Sequence, residues 1–294
     1  MTSAIHRSKK GKSGVKLSRS LGGTAAIAVF LIIVGVFMAL PIVYSLVQSI
    51  KPFEEIFAYP PKFFVKNPTF DNYIQVYQLC QNLWVPLSRY VFNSLFVSIV
   101  TTFLYVFIST MAAFVLAKGG LKGSKVIFII IQFALLYTSY TLAVPQYLVF
   151  SKLNLIDSYG VYIFPYLAST MGVFLMKQYI DGYVPNALME AAEIDGAGYF
   201  RIFFKIIIPT VKPCILTLTL FGFRDVWSAI PQGTIFSEQL KTLPQIMAQI
   251  TSGGIARTGS TMAVTVIMML PPILVYMISQ SNVVEAMSSA GIKE

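Results

Sequence analysis

The chain has 294 residues, 56% of them hydrophobic and only 12% charged, and a mean hydropathy of +0.71. That leaves too little polar surface for a soluble globule, so the chain reads as an all-α polytopic membrane protein. The formal net charge of +10 suggests nucleic acid on its face, but in a membrane protein the positions of Lys and Arg report sidedness instead. One histidine, His6, and two distant cysteines, Cys80 and Cys214, give no basis for a histidine-centred catalytic site, a metal site or a disulfide framework.

Residues 1–24 carry Arg7, Lys9, Lys10, Lys12, Lys16 and Arg19 without an acidic residue, interleaved with Ser and Gly. They are expected to form a disordered tail that stays in the cytoplasm and orients the chain, rather than a nucleic-acid arm. The apolar run 25–46 is long enough to cross a hydrocarbon core of about 30 Å and reads as a retained first transmembrane helix, not a signal peptide. Residues 51–89 shift to Pro, Asn, Asp and aromatics, with turn signals at Pro60-Pro61 and Asn67-Pro68. Residues 25–88 are therefore a first helix and an external segment, the latter with a short amphipathic helix around 72–77.

A second apolar run covers 91–116, and Lys118, Lys122 and Lys125 then place a glycine-rich loop inside. The third run, 126–150, ends at a short polar loop, 151–158, and the fourth covers 159–179. By counting, residues 181–213, DGYVPNALMEAAEIDGAGYFRIFFKIIIPTVKP, fall on the inner side. The fifth helix is expected from Pro209 and Pro213 to about residue 229, an external segment at 232–260, and a sixth helix at 261–279 kinked at Pro271-Pro272. Residues 281–294 are a cytoplasmic tail. Most of the 22 Lys and Arg then lie inside, consistent with six spans and both termini cytoplasmic.

Within 181–213, Pro185 suits a first helical turn and residues 187–195 are mostly good helix formers, stopped by Gly196. Glu190 and Glu193 repel on one side, and Asp195 sits at the negative end of the helix dipole. Such an arrangement opposes local stability and makes sense under a basic partner surface, with Ala191 and Ala192 small enough for another backbone to approach. On charge alone a solvated loop helix is an equal reading.

Spacing decides between them. Glu190, Ala191 and Ala192, then Gly196, then after nine residues Ile206, Ile208 and Pro209, resemble the EAA signature of the membrane subunits of binding-protein-dependent ABC importers, with Ile208 in place of a leucine. NPTFDNY at 67–73 and RYVFNSLFVS at 89–98 are similar to the carbohydrate branch, the maltose-type permeases. SEQLKTLPQ at 237–245 and the ending SQSNVVEAMSSAGIKE resemble a subgroup associated with oligosaccharides and polysaccharide fragments.

The resemblance implies a type I importer permease fold with six transmembrane helices, its permease domain at 89–280, in a bacterial cell membrane. It implies a homologous second permease, two ABC ATPase subunits that bind ATP and Mg, and an extracytoplasmic sugar-binding protein. This chain itself has no cofactor and, lacking a G-x-x-x-x-G-K-[ST] loop, no hydrolytic role. The signature helix becomes a coupling helix seated in the ATPase: Glu190 meets a basic group, Ala191 and Ala192 allow close seating, Glu193 and Asp195 lie alongside, and Gly196 makes the turn. The tail around Ala290, Gly291 and Lys293 resembles tails that reach the ATPase. Arg224 and Asp225 fall deep in the fifth run, where charges usually face a cavity or a partner; substrate path and a bond to the second permease stay equally open. Trp227 offers a ring on which a sugar stacks, although such a tryptophan is more often an interface anchor. A permease for a non-sugar solute and an ion-coupled secondary transporter are the alternatives, the latter disfavoured by the lack of an internal repeat.

Overall fold

In the computed structural model residues 21–137, 139–231 and 233–291 are described, and every regular element among them is helical. The basic tail through residue 20 and Lys293 lie outside the described residues. Packing divides the chain into two units at Tyr44/Ser45, inside the first helix. That helix, α1 (Leu21–Ser49), begins within the segment expected to be tail and is apolar on every face.

After α1 come a single turn, α2 (Phe53–Ile56), and α3 (Asp71–Asn82). The sequence places a helix only at 72–77. It runs longer because its buried positions, Asn72, Val76 and Cys80, repeat at four-residue intervals one turn beyond Tyr77. Burial there pushes the Cys80 thiol up to about 11. Helix α4 (Leu87–Lys118) follows as the central helix, packed on many of the later helices of the bundle.

The third and fourth apolar runs depart from expectation, since each is broken in two. Residues 126–150 fold as α5 (Ser124–Ala134) and α6 (Ser139–Lys152), with residues 135–137 in neither, and 159–179 fold as α7 (Gly160–Leu167) and α8 (Thr170–Tyr183). The second break has a clear local cause: the Ser169 hydroxyl accepts the Gly172 N–H at 3.3 Å and starts a new helix, the competition by which serine favours caps over helix interiors. An 11-residue helix such as α5 rises only about 16 Å, so each of these runs crosses a core of about 30 Å only with both pieces counted.

Helices α9 (Asn186–Ile194) and α10 (Tyr199–Ile202), a π-helical turn at Phe203–Ile207, α11 (Ile208–Thr210) and α12 (Lys212–Trp227) form the next stretch. Then come α13 (Leu243–Thr251) and α14 (Thr258–Gly291). Long continuous apolar spans are Gly22–Ser49, Leu87–Lys118 and Ile255–Gln280, while Tyr199–Thr210 and Lys212–Trp227 form one pair bent by 79°. Helix α14 runs on past Ser279, the expected end, through Pro271 and Pro272 to Gly291, because residues 280–290 contain neither Gly nor Pro to stop it.

Between helices in lipid there is no water to exclude, so close van der Waals packing at small residues holds the bundle. One such contact sits at its centre. A Cβ built on Gly172 of α8 lies 2.5 Å from Tyr105 Cε2, and one on Gly222 of α12 lies 2.5 Å from Tyr105 Cδ1. The α4 ring is thus clamped along opposite edges by two bare backbones.

At the Leu87 end of α4 the loops are fixed by named polar contacts. The Asn93 amide donates to the carbonyls of Gln239 (2.8 Å) and Lys241 (2.9 Å), and its oxygen accepts from Tyr159 Oη at 2.8 Å. Tyr90 Oη donates to Glu238 at 2.9 Å, and Tyr162 Oη to Gln245 at 2.5 Å. The Asp157 carboxylate accepts the N–H groups of Phe236 (3.0 Å) and Ser237 (2.8 Å) and the Ser237 hydroxyl. Those hydrogen bonds, the Ser237 hydroxyl first, hold the Asp157 pKa below its ordinary 3.8. A depressed carboxylate stabilises the loop fully above the unfolded value and loses that contribution as pH falls through the folded one. The protection of the Phe236 and Ser237 amides, measured against their intrinsic exchange, is therefore expected to be full at neutral pH and to be lost as the pH falls below 3.8. Asp157→Ala should abolish both the protection and its pH dependence.

Candidate functional site

At the Lys118 end of α4 the chain builds a short helix into its own core. Pro185 caps α9 from an extended conformation, one residue before the first turn in which the sequence places it. Lys118 Nζ reaches across to donate to Asn186 Oδ1 at 2.6 Å. Met189 and Ala192, three residues apart, are buried with Ala113, Phe114, Ile180, Val184, Ile202 and Phe203. Ala192 is thus taken up by the chain's own packing, only 7% exposed, and of the two alanines proposed for partner seating only Ala191 is open. Glu190, Glu193 and Asp195 are exposed.

Gly196 stops the helix as expected, at φ +73. Its N–H donates to the Glu193 carbonyl at 3.0 Å, and the Ala197 N–H donates to that of Ala192 at 2.9 Å, a Schellman stop that satisfies carbonyls the helix end leaves open. Sequence reasoning missed the apolar part of this surface. Ile194 is 86% exposed, and Leu188, Tyr199, Phe200 and Phe204 are exposed beside it. The signal was available, since Ile194 stands four residues from Glu190 and off the Met189/Ala192 face.

The second half of the spaced pattern makes a bend. Pro209 has no N–H to give the Lys205 carbonyl and its ring crowds that group; the preceding residues wind as a π turn, and the chain bends by 79° into α12. Ile206 and Ile208 pack against the same core as α9. One hydrophobic cluster therefore joins α9 to the start of α12.

The residues considered for a solute path divide. Arg224 and Asp225 are both exposed on α12 and share no ion pair among the described residues. Trp227 is instead packed: it is buried, its Nε1–H donates to the Met268 carbonyl at 2.9 Å, and its ring stacks on Phe223. It presents no open face to a sugar. A cleft of about 460 Å³ between α4, the π turn, α12 and α14 is lined by Phe103, Phe107, Phe203, Ile215 and Phe223, with Thr110 and Thr219 at its edge. Both of these hydroxyls bond their own helices, to Val106 at 2.7 Å and Ile215 at 2.8 Å, and the hydroxyl of a third lining threonine, Thr102, is buried without a partner. A lining so largely apolar suits apolar groups better than the several hydroxyls of a sugar, each of which needs a polar partner when desolvated, since Thr102 alone among the three threonines is unpartnered.

Residues 90–289 match the family described as "Binding-protein-dependent transport system inner membrane component". The arabinooligosaccharides transport system permease protein AraQ of Bacillus subtilis is 27% identical over 272 residues, covering 91% of this chain and 95% of that protein. The sulfoquinovosyl glycerol transport system permease protein SmoH of Agrobacterium fabrum is 28% identical, over 86% and 88% of the two chains. The probable starch degradation products transport system permease protein AmyC of Thermoanaerobacterium thermosulfurigenes is 29% identical, over 71% and 77%. A chain from the crystal structure of a bacterial ABC transporter involved in the import of the acidic polysaccharide alginate superposes with a TM-score of 0.70 at 20% identity, over 90% of this chain and 98% of that one. It shares the fold.

Proposed function

This chain belongs to the binding-protein-dependent transport system inner membrane component family, and from that membership we propose that it is the permease subunit of an ATP-driven importer of a carbohydrate, an oligosaccharide delivered by an external binding protein. The observation that carries the coupling part is the α9 surface: acidic at Glu190, Glu193 and Asp195, apolar at Ile194 and Leu188, seated on the chain's own core and closed by Gly196. A free surface of that kind fits a basic-rimmed apolar cleft on an ATPase subunit. Relatives named for arabinooligosaccharides and starch degradation products support the sugar.

In this reading a homologous second permease completes the path, with Arg224 and Asp225 at the path or at the contact between the two permeases. Two ATPase subunits bind ATP and Mg, and this chain performs no chemistry. Both termini and α9 lie in the bacterial cytoplasm. ATPase closure draws the α9 surfaces together, and the bend between Thr210 and Lys212 carries that displacement into α12, switching the path between its two openings by a contact that differs between the states.

The test is mild-detergent purification from the native membrane with identification of the bound proteins. Wild type is expected to bring an ABC ATPase and a second permease, and the external binding protein to hold oligosaccharides in a ligand panel. Gly196→Pro, which cannot adopt φ +73, should lose the ATPase. A chain that purifies alone and transports without ATP overturns the importer reading, and a binding protein that takes only peptides or amino acids overturns the sugar.

A further inference from the structure

The segment between α1 and α3, residues 51–67, is tied down at several points to the last turn of α1. Lys51 is only 2% exposed, and its Nζ donates to the Lys62 carbonyl at 2.6 Å. The Thr69 N–H donates to the Ile50 carbonyl at 2.8 Å, and the Asn72 amide to the carbonyls of Ser49 (2.9 Å) and Lys51 (2.8 Å). Lys62 is thereby held within one lysine side chain of the helix end. The loop cannot rise far from the level at which α1, an apolar span of 28 residues, leaves the membrane.

What the loop presents at that level is aromatic, with two exposed lysines, Lys62 and Lys66, and one exposed carboxylate, Glu54. Tyr59 is 95% exposed and Phe64 72%, with Phe53 and Phe57 also exposed. The nearby Glu55 carboxylate is occupied by the N–H groups of Lys66 and Asn67, each at 3.0 Å, and these, Lys66 foremost, hold its pKa below the carboxylate range. The same carboxylate also lies near enough to Lys51, Lys62 and Lys66 to interact with their charges, but forms an ion pair with none of them. The Lys62 and Lys66 side chains lie against each other, close enough for Lys66 to push the Lys62 pKa down, and neither has an ion-pair partner among the described residues. Two adjacent ammonium groups repel, and an anion shared between them removes the repulsion. Aromatic rings with a polar edge concentrate at headgroup level, and basic clusters beside a transmembrane helix bind anionic lipid.

We propose that residues 51–67 form a headgroup-binding loop, in which Lys62 and Lys66 hold the phosphate of an anionic lipid in the leaflet opposite α9 while Tyr59, Phe57 and Phe64 seat among the headgroups. A soluble protein ligand is the other occupant such rings attract, but a surface for it has no reason to be strapped to the helix end at membrane level. The proposal is independent of the transported solute.

The test uses the assembled transporter in nanodiscs, its other exposed cysteines replaced, with a nitroxide on Phe64→Cys; Cys80 and Cys214 are buried and escape the label. Thr251→Cys, exposed on α13, is the water-facing control and reports that the fold is intact. Collisions with oxygen relative to a water-soluble nickel chelate are expected to be severalfold more frequent at residue 64 than at 251, and to rise as phosphatidylglycerol replaces phosphatidylcholine. The midpoint of that titration should shift about fivefold for each of Lys62→Gln and Lys66→Gln. A label at 64 as water-exposed as the control overturns the proposal, as does one insensitive to phosphatidylglycerol or to both lysine changes. Shielding that arises only when the external binding protein is added assigns the loop to that protein instead.

Discussion

Ile194→Lys is expected to leave the fold of this chain at least as stable as wild type and yet to weaken ATPase capture at least about 30-fold, the effect of losing an interface anchor worth about 2 kcal/mol or more. The side chain is 86% exposed, so the substitution removes nothing from the core. A lysine in the last turn complements the helix dipole and stands four residues after Glu190, an orientation worth a few tenths of a kcal/mol. Every local term therefore favours the variant. If α9 were merely a solvated loop helix, uptake would not change. Under the coupling reading, the lysine takes an apolar anchor away from the ATPase and sets a positive charge against the basic surface that Glu190 and Glu193 call for.

Ala192→Leu is the complementary case. Ala192 is buried against Phe203, Ala113 and Met189, and three added carbons there cost about 1–3 kcal/mol by overpacking. Its loss should appear in thermal unfolding of the isolated permease as well as in ATP-dependent uptake by proteoliposomes. For Ile194→Lys only uptake and ATPase co-elution should fall. Unfolding curves that rank the two variants the other way would sink the assignment of faces on α9.

Which of these features a reader of the sequence sees depends on whether the cause is local. Gly196 was legible because a glycine after a run of helix formers has one economical use, and the left-handed stop it makes involves only the carbonyls of Ala192 and Glu193. The spacing from Glu190 to Pro209 was legible for the same reason. Ala192 was not, since whether an alanine faces a partner or its own core depends on Ala113 and Phe203, brought there by α4 and the π turn. Hydropathy located the runs 126–150 and 159–179 but not their breaks, because a window average over apolar residues is blind to a single hydroxyl, such as that of Ser169, that restarts a helix. The two readings of Trp227 rested on its position along the helix, whereas its surroundings are set by the Met268 carbonyl 41 residues away.

The Tyr105 clamp depends on no local cause at all. Gly172, Gly222 and Tyr105 look unremarkable in sequence, two glycines in apolar runs and an aromatic in a third. Yet the space for each is set by the others. Gly222→Leu is expected to destabilise the permease by about 3 kcal/mol or more, at the upper end of overpacking costs, because the ring it meets at 2.5 Å is blocked on its other edge by Gly172. Tyr105→Ala alone leaves a cavity worth about 3–5 kcal/mol. Combined, the two changes should cost less than their sum by at least about 1 kcal/mol, since the leucine then fills the space the ring has left. Denaturant titration of the detergent-solubilised chain measures all three variants. Strict additivity would mean that the ring moves aside when pressed from α12, and that Gly172 does not hold it. Coupling of the expected sign would mean that α4, α8 and α12 are fixed to one another at this point, so that a displacement entering α12 through the bend between Thr210 and Lys212 moves the three helices together.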